Sequence, residues 1–145
     1  MRLFVGLSFT DDIRIALSLL AFGLDGARWV QPENLHLTLR FIGNVSARDL
    51  ADLDSILSSI HGEPFNLQLC GLGHFGRNDK LRALWVDIVP NTALSRLHGK
   101  IERVVISTGF GAEGRKFKPH VTLARFLGRR PRNFGSYLLA NGAFS

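Results

Sequence analysis

Short apolar runs alternate along the chain with stretches that are apolar on one side only. Residues 3 to 9 are dense in Phe, Val and Leu, which predicts a strand. From Asp11 to Leu24, the residues Ile13, Leu17, Leu20 and Leu24 recur at three- and four-residue spacing, which predicts an amphipathic helix. Thr10, Asp11 and Asp12 offer its cap and first-turn charges, and Gly26 offers a stop. Trp29 and Val30 suggest a short extended piece before a turn at Pro32. Leu35 to Ile42 is rich in strand formers and ends at Gly43 and Asn44.

Ser46 and Asp49 have the spacing of a capping box. Leu50, Leu53, Leu57 and Ile60 then mark one face of a second helix, which Gly62 can close. Phe65 to Leu72 alternates as a strand, and Leu81 to Val89 reads as its neighbour across a polar, Gly-rich connection. Asn91 can cap a third helix with the stripe Leu94, Leu97, Ile101, Val104 and Val105. A polar loop from Gly109 to Lys118 leads through Pro119 to a strand from His120 to Phe126, and Gly128 to Asn133 reads as a basic turn. Residues 134 to 145 predict no completed element. This order implies the α+β class, with antiparallel or mixed sheets covered on one face by three helices.

Composition narrows the function classes. With 145 residues, 46% hydrophobic, 15 Gly and 5 Pro, the chain belongs with folded domains rather than disordered or collagen-like ones, and one domain is expected. That length buries roughly two-thirds of the extended-chain surface without help from a disulfide or a metal. The single cysteine, Cys70, excludes an intrachain disulfide and a cysteine-rich metal centre, and reads as a small buried hydrophobe. No apolar run approaches the roughly 20 residues of a membrane span, and the N-terminus lacks a leader pattern. A reducing cytoplasm is the expected location. Basic residues number 18 against 12 acidic, and 14 of the 18 are Arg, whose planar fork matches phosphate oxygens. That surplus admits a polyanionic partner without requiring one.

One internal echo stands out. His36-Leu-Thr-Leu-Arg-Phe-Ile-Gly43 resembles His120-Val-Thr-Leu-Ala-Arg-Phe-Leu-Gly128 apart from one inserted residue, Ala124. Two related halves are the economical explanation. On a strand His36 and Thr38 share a face, as do His120 and Thr122. A lone His-x-Thr is ordinary structure, but two copies in matching contexts can line one cleft with two imidazoles and two hydroxyls.

Such a pair suits acid and base work near neutrality: one nitrogen takes a proton from water while the other gives one to a leaving alkoxide. Hydroxyls can hold nonbridging phosphoryl oxygens, so a phosphodiester is the natural substrate and no metal is needed. Neither strand carries Asp or Glu at ligand spacing, so no metal site is expected. Chemistry alone leaves open which histidine is acid and which is base.

These stretches resemble the 2H phosphoesterase superfamily, and specifically its RNA 2',3'-cyclic phosphodiesterase (2'-5' RNA ligase) family. The likeness runs from Arg2-Leu-Phe-Val-Gly-Leu7 through Arg28-Trp-Val-Gln-Pro-Glu-Asn-Leu-His-Leu-Thr-Leu-Arg-Phe-Ile-Gly43 and Gly71-Leu-Gly-His-Phe75 to Phe117-Lys-Pro-His-Val-Thr-Leu-Ala-Arg125. The resemblance implies a bilobal fold, two pseudo-symmetric sheets with outer helices around a central cleft, and opening of RNA 2',3'-cyclic phosphate ends to 2'-phosphate ends without a cofactor. It implies His36 as proton donor, His120 as proton acceptor, and Thr38 and Thr122 as phosphate binders.

Arg125 is a candidate for steadying phosphate or the strand end, and Arg40 stands at the like place in the first half. Arg115, Lys116 and Lys118 can track an RNA backbone or form a solvated face. A base can stack on Trp29 or on one of the phenylalanines, although Phe4, Phe41, Phe75 and Phe126 sit in strand contexts that favour burial. The implied partner is RNA or an oligonucleotide with a cyclic phosphate or 2'-5' linkage, with no membrane. Relatives usually continue for a few tens of residues, so the resemblance implies a C-terminally incomplete domain, monomeric in the family and open to self-association at an uncovered sheet edge. The alternatives are 2'-5' RNA ligation by the reverse reaction and a noncatalytic RNA-binding module.

Overall fold

A computed structural model describes residues 1–77 and 79–145; Asn78, in the polar connection after residue 72, lies outside the described residues. In chain order the elements are β1 (Arg2–Ser8), α1 (Asp11–Ser18), β2 (Arg28–Trp29), a 3-10 turn (Pro32–Asn34), β3 (His36–Asn44), α2 (Ala47–Leu57), β4 (Leu69–Phe75), β5 (Lys80–Ile88), α3 (Thr92–Ser107), β6 (His120–Arg129) and α4 (Phe134–Asn141). The strands follow the order β1-β3-β6-β5-β4, with β2 also pairing β6. The class is α+β, as the sequence pattern implies. The chain divides into two compact units that share β3: His36 and Leu37 belong to one, and Thr38 onward to the other.

The first unit comprises Met1–Gly6, Thr38–Leu67 and Pro90–Lys118. Its helices start where the sequence places their caps. The Ser46 hydroxyl accepts from the Asp49 amide at 3.1 Å, and the Ser46 amide donates back to the Asp49 carboxylate at 3.4 Å, closing the capping box. Asn91 accepts from the Leu94 amide at 2.9 Å and donates to the Asn66 carbonyl at 2.8 Å. Leu39, Leu53, Leu94, Ile101 and Val105 form the core of this unit. α2 stops at Leu57, short of Gly62, and there the hydroxyls of Ser58 and Ser59 donate to the carbonyls of Asp54 and Ile56. Phe4 and Phe41, expected to be buried, are 49% and 48% exposed, and the Arg2 guanidinium lies 5.4 Å from the Phe41 ring.

The second unit comprises Leu7–Leu37, Gln68–Val89 and Pro119–Ser145. β5 pairs antiparallel with both β4 and β6. Leu17, Leu20, Leu84, Val86, Val121, Leu123, Phe134 and Tyr137 are buried here. α1 ends at Ser18, earlier than the periodicity suggests, and Leu20 and Leu24 reach the core from a turn instead. Gly23 makes that turn with φ +86°, a conformation only glycine adopts readily.

β4 begins at Leu69 rather than Phe65. Between Leu69 and Leu72 two of its residues stand against one of β5, and Gly71 takes φ +81°. Cys70 sits in that irregularity and is exposed, not buried. Residues 134 to 145, which predict no element, contain α4. Its anchor is Tyr137, whose hydroxyl donates to the Leu20 carbonyl at 2.7 Å. Among the described residues no helix is long and apolar enough to cross a membrane.

Candidate active site

β6 organises the site. Across the β5–β6 ladder, Asp87 stands opposite His120, Trp85 opposite Thr122, and Ala83 opposite Arg125. Directly opposed residues of an antiparallel pair share a face. Thr122 and Arg125 are three residues apart and would point oppositely on a regular strand. A register shift makes Leu123 an extra residue opposite the Leu84–Trp85 step, and Arg125 thereby joins His120 and Thr122 on one face.

On the other edge of β6, β2 sets Arg28 opposite Arg125 and Trp29 opposite Ala124. Arg28 therefore shares the His120 face. Trp29 does not: it turns to the opposite face, 6.3 Å from the Tyr137 ring, which removes it as a platform for a base at this site.

β3 meets β6 antiparallel with Leu37 opposite Val121, the residues that separate His from Thr in the two motifs. Continuing that register by one residue sets His36 across from Thr122, at a Cβ separation of about 5 Å for such pairs. The His36 Nδ1 lies 2.6 Å from the Asn34 carbonyl, which can only accept, so Nδ1 carries hydrogen. The 3-10 turn opened by Pro32 presents that carbonyl.

The His120 ring stands edge-on to Phe75 at 5.2 Å and tilted against Trp85 at 5.5 Å. Trp85, buried and on the same face, is a site residue that sequence reasoning missed. Inside an apolar run it reads as ordinary core. Its one sequence signal is Gly73, which faces it on β4, and a Cβ at Gly73 would enter the indole ring.

Thr38 follows His36 by two residues on β3, and all four motif residues are half-buried. The first six residues of β3 and β6 share one sequence of buried, half-buried and exposed positions. This corrects the simple alignment of the repeat. By position Arg40 matches the buried Ala124, and Phe41 matches the exposed Arg125.

Arg40 is 7% exposed and works within its own unit. It pairs with Glu102 at 2.5 Å and donates to the Gly111 carbonyl at 2.6 Å, while Glu102 also accepts from the Glu113 amide at 2.8 Å. Burial alone would raise the Glu102 carboxyl, but the Glu113 amide and the Arg40 guanidinium outweigh it and hold the group below its ordinary value. His98 stacks on Phe117 at 3.8 Å, fastening the same loop to α3. Arg115, Lys116 and Lys118 are exposed.

A cavity of about 580 Å³ at the β4–β5 turn is lined by His74, Phe75, Gly76, Arg77, Lys80 and Arg82. His74 stands opposite Leu84, on the face away from His120, whereas Phe75, which also lines the cavity, lies against the His120 ring. Burial and the neighbouring Arg130 push the His74 imidazole below its ordinary value. Among the described residues no group of three or more His, Cys, Asp or Glu could hold a metal ion.

The family model of LigT-like phosphoesterases matches residues 7–85, more than half of the chain. The chain belongs to the LigT-like phosphoesterase family. Within that family it is similar to the RNA 2',3'-cyclic phosphodiesterases of Aeropyrum pernix and Archaeoglobus fulgidus. The first is 45% identical over 70% of this chain and 58% of that protein. The second is 32% identical over 90% of this chain and 76% of that protein.

Two solved structures are similar to this chain in fold. TT0787 of Thermus thermophilus has a TM-score of 0.80 at 27% identity, over 91% of this chain and 78% of that one. LigT of E. coli complexed with 3'-AMP has a TM-score of 0.72 at 29% identity, over 86% and 72%.

Proposed function

We propose that the chain opens RNA 2',3'-cyclic phosphate ends to 2'-phosphate ends without a metal ion, as the names of its relatives suggest. One observation carries the reading. The repeated His-x-Thr motifs meet with Leu37 opposite Val121, which sets His36 against Thr122 across the β3–β6 pair.

In the proposed reaction His120 takes a proton from water as its oxygen attacks phosphorus. The bond from phosphorus to the 3'-oxygen breaks, and His36 gives that oxygen a proton, leaving a 3'-hydroxyl and a 2'-phosphate. Thr38 and Thr122 donate to the nonbridging oxygens, and Arg125 adds positive charge from the Thr122 face. Phe75 and Trp85 hold the His120 ring in its orientation. E. coli LigT has been solved with 3'-AMP and with phosphate, groups of the kind this site would take.

Product analysis tests the reading. An oligonucleotide ending in a 2',3'-cyclic phosphate should yield a 2'-phosphate end in the presence of EDTA. A joined product with a 2'-5' linkage would show ligation instead, and salt-dependent binding without any product would show an RNA-binding module.

A further inference from the structure

The turn joining β4 to β5 and the turn leaving β6 lie side by side in the second unit. Lys80 stands opposite Arg129, and the Arg130 amide donates to the Asp79 carbonyl at 2.6 Å. Residues 76–82 and 128–133 thereby gather Arg77, Lys80, Arg82, Arg129, Arg130 and Arg132 at one end of the sheet, with Asp79 as the one carboxylate in the two segments. That local surplus is nearly as large as the net charge of +6 on the whole chain.

All six cations are exposed, and little offsets them. The Arg129–Asp79 pair, at 3.9 Å with both side chains in solvent, neutralises little. The Arg130 guanidinium lies 3.5 Å from the His74 Nε2 and 5.1 Å from the Phe134 ring, neither of which carries a negative charge. The side chains of Arg77, Lys80, Arg82 and Arg132 have no ion-pair or hydrogen-bond partner among the described residues. Lys80 and Arg129, directly opposed like charges, repel each other, so the arrangement favours a polyanion that takes the place of the missing carboxylates.

The cavity of about 580 Å³ opens among Arg77, Lys80 and Arg82. A Cβ at Gly76 would run into the Lys80 carbonyl, so glycine lets this turn close with Arg77 and Lys80 both lining the cavity. Phe75 lines it too, and its ring stands 5.2 Å from that of His120. The basic cavity and the histidine face therefore share one side chain.

Position and chemistry supply the ligand. Trp85 opposes Thr122 and Lys80 opposes Arg129, five residues apart on β5, roughly 17 Å at about 3.4 Å per residue. The single internal phosphate of a dinucleotide whose cyclic end sits at Thr122 does not span that distance, whereas a chain several nucleotides long does. Five of the six cations are arginine, whose fork matches phosphate oxygens, and an aromatic ring on the route takes the face of any base.

We propose that this basic end of the second unit is a docking surface for the backbone of single-stranded RNA several nucleotides 5' of the cyclic phosphate, so that oligonucleotides are preferred over the shortest ends. The inference rests on the cyclic phosphodiesterase reading and adds to it a binding surface outside the histidine site.

The test compares a dinucleotide with an unstructured decanucleotide, each ending in a 2',3'-cyclic phosphate, and follows decanucleotide binding by fluorescence anisotropy. The intact chain should show the higher kcat/KM on the decanucleotide, by a margin that shrinks as salt rises. The double variant Arg77→Ala/Lys80→Ala should lose at least tenfold in decanucleotide kcat/KM, through KM, and leave the dinucleotide value unchanged. Its log–log salt slope for decanucleotide binding should be shallower by about 1.4, two phosphate contacts at about 0.7 each, whereas Arg77→Lys/Lys80→Arg keeps the slope.

Equal loss on both substrates, no loss on either, or no length preference in the intact chain would overturn the docking surface. Displacement of the decanucleotide by polyglutamate at equal charge concentration would overturn it in favour of an acidic protein partner. Folded protein that turns over neither substrate yet binds the decanucleotide with the expected difference in slope would overturn the cyclic phosphodiesterase reading and support the surface. Folded protein that does neither would overturn both.

Discussion

Leu37 and Val121 face each other where β3 pairs with β6. Each is the buried residue between a motif histidine and its threonine, so a contact in the core sets the register of groups on the opposite face. A slip of one residue would send the motif side chains into the core, and a two-residue slip would separate His36 from Thr122. The apolar contact thus fixes the geometry on which the proposed proton transfers depend.

The indole of Trp85 occupies the space that a side chain at position 73 would need. Gly73→Ala should therefore cost about 1–3 kcal/mol and displace the ring that holds His120. Thermal unfolding should record the destabilisation, and kcat should fall even in the protein that remains folded. Unchanged kcat at an unchanged melting temperature would show that Trp85 has no positioning role.

Arg40 and Glu102 tie β3 to α3 and to the loop at Gly111. Removing one partner of a pair this well buried leaves the other uncompensated, so Arg40→Ala should cost about 3 kcal/mol in denaturant unfolding. The folded state holds the Glu102 carboxyl below its ordinary value, so its contribution is complete above that value and disappears as pH falls through the depressed one. The intact chain should lose stability more steeply than Glu102→Gln between about pH 5 and pH 3. Parallel curves would show that Glu102 contributes nothing linked to its charge.

Tyr137 holds α4 through its bond to the Leu20 carbonyl. Tyr137→Phe leaves that buried carbonyl unpaired and should cost about 1–3 kcal/mol. Burial also pushes the phenol up to about 12 from 10, so the unfolded chain releases its proton first as pH rises. Stability should accordingly fall above about pH 10 in the intact chain and fall less in Tyr137→Phe, as denaturant melts at alkaline pH would record.

Much of this architecture is legible in the sequence. The capping box at Ser46 and Asp49, the cap at Asn91 and the stripe of α3 are local signals, and tertiary packing preserves them. The His-x-Thr repeat is equally local, because strand alternation alone puts each His and Thr on one face. α4 escaped because Phe-Gly-Ser-Tyr-Leu-Leu-Ala-Asn has no clean polar face: it is held by Phe134 and Tyr137, while Leu139 is exposed. Trp85 and Arg28 escaped for another reason. Their facing depends on ladder register and on the bulge at Leu123, and no pattern within a single strand reveals either. Arg40 and Arg125, which look equivalent in the aligned repeat, differ in burial because Arg40 takes the place of Ala124.

The most direct measurement follows a short RNA ending in a 2',3'-cyclic phosphate, in EDTA, with the intact chain and with His36→Ala and His120→Ala. The account predicts a 2'-phosphate product from the intact chain and a loss of roughly 10²-fold or more in each folded variant. Turnover near that of the intact chain in both variants would contradict the paired-histidine mechanism.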